Sequence, residues 1–358
     1  MMKVTNNKTG EHICELCQRA IANKTNSHIV PSFLVCKTTS SDGSGKRNHE
    51  IIFSVGKTTR AYTGNEVPRK IFDRNFDNIT DERINEELKI NTLSRDYVFC
   101  SSCEKNLGDY LESPYASRKN IDANTSYYFW LSILWRVNCF KLFRTQMPKF
   151  ILSELRKSLN YYLQARENNH TVYNIKPPYP FSYRILTCKD YSIGCGCIYA
   201  EYDKSNCIYS LALGGLIICF CFRAGSLPDN YVFLGIEDEL KQAPSNDGTE
   251  IEKTKNVSKE KFDKAYYNVQ YKTQANNVAN QVKWVYRLWN ELIKQHYMMP
   301  SPTPPVFFIQ HCLKVINDNQ KKIGEIYTER NYAISFGVAL KETYGLQVSC
   351  DGVMGTGE

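Results

Sequence analysis

Three short stretches decide how this chain folds: residues 14–17 read Cys-Glu-Leu-Cys, residues 27–31 read Ser-His-Ile-Val-Pro, and residues 99–104 read Phe-Cys-Ser-Ser-Cys-Glu. A Cys-x-x-Cys pair in a tight turn directs both sulfurs to one metal ion, and two such pairs supply four thiolates for a tetrahedral zinc site. The pattern therefore predicts one structural Zn²⁺ site with the ligands Cys14, Cys17, Cys100 and Cys103.

The two pairs lie far apart in the sequence, since Cys100 follows Cys17 by 83 positions. A compact zinc finger needs far fewer residues, so we expect a long insertion between the pairs. Leu107 and Leu111 lie one helical turn apart after the second pair, which predicts a helix ending at Pro114 and places Glu104 at its N-terminus. The alternatives are two unrelated reduced pairs or redox-active dithiols, and neither pair has a thioredoxin-like setting.

Composition indicates a globular chain. Its 358 residues are 42% hydrophobic, enough to bury one large core or two ordinary ones. The net charge of +8 is compatible with a nucleic-acid partner. The chain has 14 cysteines and starts without an apolar signal core, so we expect a reducing cytoplasm. The most apolar stretches are too short or too charged to cross a bilayer, which predicts no membrane partner.

Beyond the second pair, the pattern predicts an α+β architecture. Two helices are expected at residues 124–143 and 148–167, the first buried on several sides. Residues 183–234 are rich in β-branched and aromatic residues between turn signals, which predicts an antiparallel sheet. The polar residues 241–261 are interpreted as an exposed loop or linker, and residues 278–297 as a further helix.

The Cys pair, the Ser-His-Ile-Val-Pro segment and the second Cys pair followed by Glu resemble the zinc-containing HNH endonucleases, which have a ββα-metal motif. The resemblance is to a divergent bacterial group and covers residues 12–115. It implies that the four cysteines hold structural zinc and that His28 activates water against a phosphodiester. It also implies that Glu104 binds Mg²⁺ or Mn²⁺, with Asn91 as the nearest counterpart of the intermediate Asn.

Two of these residues also have simpler interpretations. His28 beside a small metal module can be a structural histidine, and Glu104 can be a carboxylate that stabilises the first turn of a helix. The cysteines of the predicted sheet, including Cys219 and Cys221, are interpreted as reduced, packed side chains.

The sequence thus predicts an HNH-like zinc module with a long insertion at residues 1–120, and a helical and antiparallel-sheet region of unknown role at residues 121–358. The expected function is a metal-dependent nuclease acting on nucleic acid, DNA foremost, in bacterial defence against foreign DNA. The second region is a candidate site for a protein partner. The alternative is a noncatalytic zinc-stabilised module that binds nucleic acid or protein.

Overall fold

The structure, a computed structural model, describes residues 12–40, 44–55, 59–67, 93–118, 121–143, 146–168, 179–189, 191, 198–223, 227–323 and 329–348. The chain forms two compact units, Met1–Gly45 with Thr92–Tyr267 and Lys46–Asn91 with Asn268–Glu358. The predicted Cys module and the predicted sheet belong to the same unit. The predicted division into residues 1–120 and 121–358 was made by expected role, and it stays a prediction.

A five-stranded sheet forms the β part of the first unit. Its strands are β5 (Ser182–Thr187), β6 (Ile198–Asp203), β7 (Ile208–Leu213), β8 (Leu216–Cys221) and β9 (Lys255–Asn256). They lie in the order β6-β7-β8-β5-β9, and every pair is antiparallel except β5 with β9. The predicted antiparallel sheet is therefore confirmed, with one parallel edge strand added.

The turn between β7 and β8 requires glycine. Gly214 has a φ of +61°, a conformation that glycine adopts without the steric cost of a Cβ. A Cβ at this position would lie 1.8 Å from Oγ1 of Thr38. Thr38 belongs to helix α1 (Ser32–Thr39), which follows the short strand β1 (Ser27–His28). The tight turn therefore lets the helix beside the Cys module approach the sheet.

Several helices complete the first unit. After the two-residue strand β4 (Ser94–Arg95) come α2 (Ser101–Leu107), α3 (Ser113–Ser117), α4 (Ala123–Cys139), α5 (Lys149–Glu167) and α6 (Glu237–Gln242). The side chain of Asp122 caps α4 by accepting a 2.6 Å hydrogen bond from the backbone N–H of Thr125. Residues 125–138 of α4 are all buried, which confirms its predicted burial on several sides.

Pro114 does not end the helix that follows the second Cys pair, so that prediction is wrong. A wider π-helical segment, Gly108–Glu112, follows α2, and the chain continues directly into α3. Pro114 lies in the first turn of α3, where its missing N–H needs no intrahelical partner. The helix ends only at Arg118, which has a left-handed φ of 54°.

The second unit includes a hairpin of β2 (Ile51–Val55) and β3 (Thr59–Thr63). Helix α7 (Lys259–Lys294) contributes its residues from Asn268 onward, followed by α8 (Val306–Ile323) and α9 (Glu329–Tyr344). The α7 helix contains most of the predicted helix at residues 278–297 but begins 19 positions earlier and ends at Lys294. Trp289, Phe308 and Phe336 are fully buried in a core built from these three helices. Within the described residues, no helix is long and apolar enough to cross a membrane.

The interpretation of residues 241–261 as an exposed loop or linker holds for most positions, but the segment also contains buried groups. Most of this segment is irregular, but the side chain of Glu252 is only 2% exposed. Its carboxylate accepts hydrogen bonds from Tyr115 at 2.8 Å, Trp130 at 2.8 Å and Tyr183 at 3.1 Å, and it pairs with Arg118 at 2.9 Å. The carboxylate thus joins α3, α4 and β5.

This geometry predicts that Glu252→Gln lowers the free energy of unfolding by about 2 kcal/mol, because a neutral amide leaves buried donors and Arg118 poorly satisfied. Urea unfolding monitored by tryptophan fluorescence measures the change. The control is Glu250→Gln, which removes a 75% exposed carboxylate paired with Lys253 and should change stability by less than about 0.5 kcal/mol. Equal effects of the two substitutions would contradict the proposed role of Glu252.

Candidate metal centre and adjacent polar cluster

The first Cys pair lies in a tight backbone turn. The N–H of Gln18 donates to the carbonyl of Cys14 at 2.8 Å, and the N–H of Cys14 donates to the carbonyl of Ala20 at 2.8 Å. Gln18 has a left-handed φ of 53°, which reverses the chain directly after Cys17. Both sulfurs are therefore presented from the same side of one turn.

The second Cys pair occupies the start of helix α2, as predicted. Cys100 is the N-cap residue, and Cys103 and Glu104 belong to the first turn. A helix N-terminus has unpaired backbone N–H groups and a positive dipole end, both of which stabilise thiolates. The N–H of Glu104 donates to the carbonyl of Cys100 at 3.0 Å and closes this turn.

Backbone hydrogen bonds join the two pairs directly. The N–H of Glu15 donates to the carbonyl of Val98 at 2.9 Å, and the N–H of Asn23 donates to the carbonyl of Phe99 at 3.1 Å. Arg156 of α5 donates to the carbonyl of Leu16 at 3.0 Å. The first turn is thus fixed both to the segment before α2 and to α5.

The four sulfurs converge, which confirms the predicted grouping. The Sγ atoms of Cys14, Cys17, Cys100 and Cys103 all lie within 4.8 Å of one another, and those of Cys17 and Cys100 are 4.0 Å apart. A tetrahedron with zinc–sulfur bonds of about 2.3 Å has sulfurs about 3.8 Å apart. The donor set and its spacing therefore fit a metal ion such as zinc.

Electrostatics within the cluster favour a thiolate. The pKa of Cys14 is lowered to about 4, chiefly by a hydrogen bond from the Cys103 thiol and also by backbone N–H groups of Cys17, Cys100 and Leu16. The pKa of Cys103 is raised, because it donates that hydrogen bond and is buried. Thiolates this close together repel one another, so all four sulfurs can ionise only when a cation compensates their charge. A bound metal ion supplies that compensation.

The pairing of strands β1 and β4 places the predicted catalytic strand beside this centre. Ser27 lies opposite Arg95 and His28 opposite Ser94 in an antiparallel register. The backbone N–H of Asn26 donates to Asp96 at 2.6 Å, so the pairing is closed at one end by a side chain. The two strands and α2 thus follow one another in the order expected for His28 and Glu104.

A buried arginine links β1 to the helices. Arg136 of α4 is 2% exposed and donates to the carbonyl of His28 at 2.9 Å and to the carboxylate of Glu112 at 2.7 Å. It also donates to the hydroxyl of Ser132 at 3.2 Å. Sequence reasoning missed Arg136 and Glu112 as members of this cluster. The available signal was one guanidinium in an otherwise uncharged helix, since a buried charge requires partners.

Glu104 lies near Arg136, Glu112 and Ser27, and these four residues form the polar cluster beside the metal centre. Burial raises the pKa of the Glu104 carboxyl, and Glu112 adds to this rise, whereas Ser27 and Arg136 oppose it. Oε2 of Glu104 and Oγ of Ser27 are both buried, and neither makes a hydrogen bond of good geometry among the described residues, although the Ser27 hydroxyl lies close enough to the carboxylate to lower its pKa. Buried polar atoms are rarely unsatisfied, so this pair of oxygens is suited to an additional polar partner such as water or a cation.

The structure brings some of the predicted site residues together and does not describe one of them. The four cysteines lie together, and His28, which is half-buried, lies on the strand whose Ser27 neighbours Glu104. Asn91 lies outside the described residues. Cys219 and Cys221 on β8 are free and buried, as interpreted from the sequence, and their Sγ atoms are 3.9 Å apart. The hydroxyl of Tyr231 contacts Sγ of Cys219.

No protein-family model, curated protein or solved structure matches this chain. The resemblance to the HNH endonucleases therefore depends on the motif residues and their arrangement, and the function must be argued from the site itself.

For the metal centre, we expect Cys100→Ser to reduce bound zinc from about one ion per chain to nearly none, since a weaker fourth ligand opens the tetrahedron. Because metal binding is coupled to folding, the melting temperature should fall by about 10 °C or more. Metal analysis and thermal unfolding measure both effects. The matched control is Cys207→Ser, a free cysteine outside the cluster, which should retain the metal. Full zinc content in the Cys100 variant would rule out this site.

Proposed function

We propose that this chain is a metal-dependent nuclease that hydrolyses nucleic-acid phosphodiesters, with His28 as the general base and Glu104 as a ligand of Mg²⁺ or Mn²⁺. The observation that supports it most is the buried, unpartnered Oε2 of Glu104 beside the strand that carries His28. A carboxylate oxygen is the ligand that these hard cations prefer. The zinc-type centre would have a structural role.

The order of the elements supports an HNH-like module. A strand with His28, a second strand and then a helix with Glu104 correspond to the β, β and α parts of the motif. Residues 29–93 are the insertion between the two strands. The four-cysteine centre ties the start of α2 to the first Cys turn, which precedes β1 in the chain.

In the proposed reaction, His28 takes a proton from a water molecule, the resulting hydroxide attacks phosphorus, and the bond from phosphorus to the leaving oxygen breaks. Glu104 would hold a divalent ion, which would supply charge stabilisation at that leaving oxygen, and the oxygen would then take a proton from solvent. Arg136 is assigned a positioning role, because its hydrogen bond to the carbonyl of His28 fixes the backbone of the base. The proposed substrate is nucleic acid, DNA foremost, in bacterial defence within the cytoplasm.

One observation favours the alternative of a noncatalytic zinc-stabilised module that binds nucleic acid or protein. Arg136 already places a permanent positive charge beside Glu104 and Glu112. Such a cluster can be charge-compensated without a divalent ion. In that case His28 and Glu104 would serve packing alone. The two proposals differ in whether nucleic acid is cleaved when a divalent ion is added.

The decisive substitution is His28→Ala. We expect it to reduce Mg²⁺-dependent or Mn²⁺-dependent cleavage of plasmid DNA at least about 100-fold, the scale of general-base catalysis, while zinc content and melting temperature stay unchanged. His12→Ala is the matched control, because His12 is an exposed histidine of the same module and should retain activity.

The ion ligand is tested separately with Glu104→Gln, which keeps the shape of the side chain but removes its charge. We expect the concentration of Mg²⁺ needed for half-maximal cleavage to rise at least about tenfold. Absence of divalent-ion-dependent cleavage by the parent chain would favour the noncatalytic module. Cleavage by the His28 variant at the parental rate would reject His28 as the general base, and an unchanged Mg²⁺ requirement in the Glu104 variant would reject Glu104 as the ion ligand.

A further inference from the structure

A polar groove of about 410 Å³ lies between the first Cys turn and helix α5. One wall is the first Cys turn, with Cys17, Gln18 and Arg19, and the other is the adjacent face of α5. The volume falls within the range of ligand-binding clefts, about 300–1,000 Å³. This groove is separate from the cluster of His28 and Glu104 and has no role in the proposed chemistry.

The groove is positively charged. Arg19, Arg156 and Lys157 line it, and no acidic side chain does so within the described part of the chain. Arg19 is exposed, while Arg156 is held in place by its 3.0 Å hydrogen bond to the carbonyl of Leu16. Lys157 pairs with Glu154 on the helix surface, an exposed pair worth little energy that a phosphate can displace. Three cations around one cleft attract a phosphate-bearing ligand.

The α5 wall also presents groups that recognise a base. Asn160, Tyr161 and Gln164 lie one turn or more beyond Arg156 on the same helix face. The Tyr161 side chain is 53% exposed, so the ring is accessible for stacking. Aromatic faces stack with every base, and amide side chains hydrogen-bond to base edges.

We propose that this groove binds a single-stranded segment of nucleic acid, with a phosphate between Arg19, Arg156 and Lys157 and the adjacent base on Tyr161. The partner class rests on the proposed function, but the binding site does not involve His28 or Glu104. Single strand is favoured over duplex because an aromatic ring can stack only on a base that has left its pair. A phosphopeptide would use the cations and leave the tyrosine without a role.

The test measures binding of a fluorescent oligothymidylate of about twelve nucleotides to the full chain by anisotropy, with no added divalent ion so that cleavage does not occur. The double variant Arg19→Gln, Lys157→Gln should lower the slope of log affinity against log salt by about 0.7, the contribution of the one phosphate that these cations hold. Its charge-matched control is Lys149→Gln, Lys264→Gln, two exposed lysines outside the groove, with the slope unchanged.

Tyr161 is tested by a pair of substitutions. Tyr161→Leu should weaken oligothymidylate binding about tenfold, whereas Tyr161→Phe, which keeps the ring face, should bind like the parent. Zinc content and melting temperature of every variant are measured, and these surface substitutions should leave both unchanged.

Two results would overturn the groove proposal: parental binding by both the double variant and the Tyr161→Leu variant, or equal displacement by duplex DNA or a phosphopeptide at matched phosphate concentration. Loss of binding in the groove variants with parental binding in His28→Ala supports it. The two proposals are separable, because absence of cleavage by the parent chain would reject the nuclease while leaving the groove result intact.

Discussion

The convergence of four sulfurs is the constraint on which the N-terminal part of the first unit depends. Two turns that lie 83 positions apart present their thiolates within one metal-sized volume. A metal ion held by all four sulfurs would cross-link these distant residues and limit the unfolded chain far more than any single hydrogen bond. The second Cys pair lies at the start of α2, so the same centre would tie Glu104 in the first turn of α2 to the first Cys turn.

Helix α4 connects the strand that contains His28 to the five-stranded sheet. It is buried along almost its whole length and contacts two charged side chains, one from its middle and one from near its C-terminal end. Trp130 donates to Glu252, which also joins α3 and β5, whereas Arg136 donates to Glu112 and to the carbonyl of His28. Buried charges are costly unless they are fully paired. Each network therefore stabilises one relative position of the helices and strands that it joins and disfavours shifted positions.

Local patterns predicted much of this structure correctly. The Cys-x-x-Cys spacing predicted the grouping of the four cysteines, and the apolar periodicity of residues 124–143 predicted a buried helix that spans Ala123–Cys139. Alternation and turn residues predicted the sheet. The burial of Glu252 could not be predicted in this way, because nothing within a polar, irregular segment shows that Tyr115, Trp130 and Tyr183 will provide donors for it. Pro114 was misread for a related reason, since its position at a helix start depends on the π-helical segment before it.

The sequence by itself determined the chemistry available to this protein: four thiolates in two pairs, a histidine on a short strand, a glutamate at a helix start, and cations in the Cys turn and on α5. Short-range spacing is sufficient for these, because turns and helices place neighbours at fixed distances. Only the tertiary structure decided which groups meet. Arg136 reaches His28 and Glu112 from 108 and 24 positions away, and Arg156 reaches Leu16 from 140 positions away. Such contacts depend on how separate elements pack, and packing is a property of the whole core rather than of any one segment.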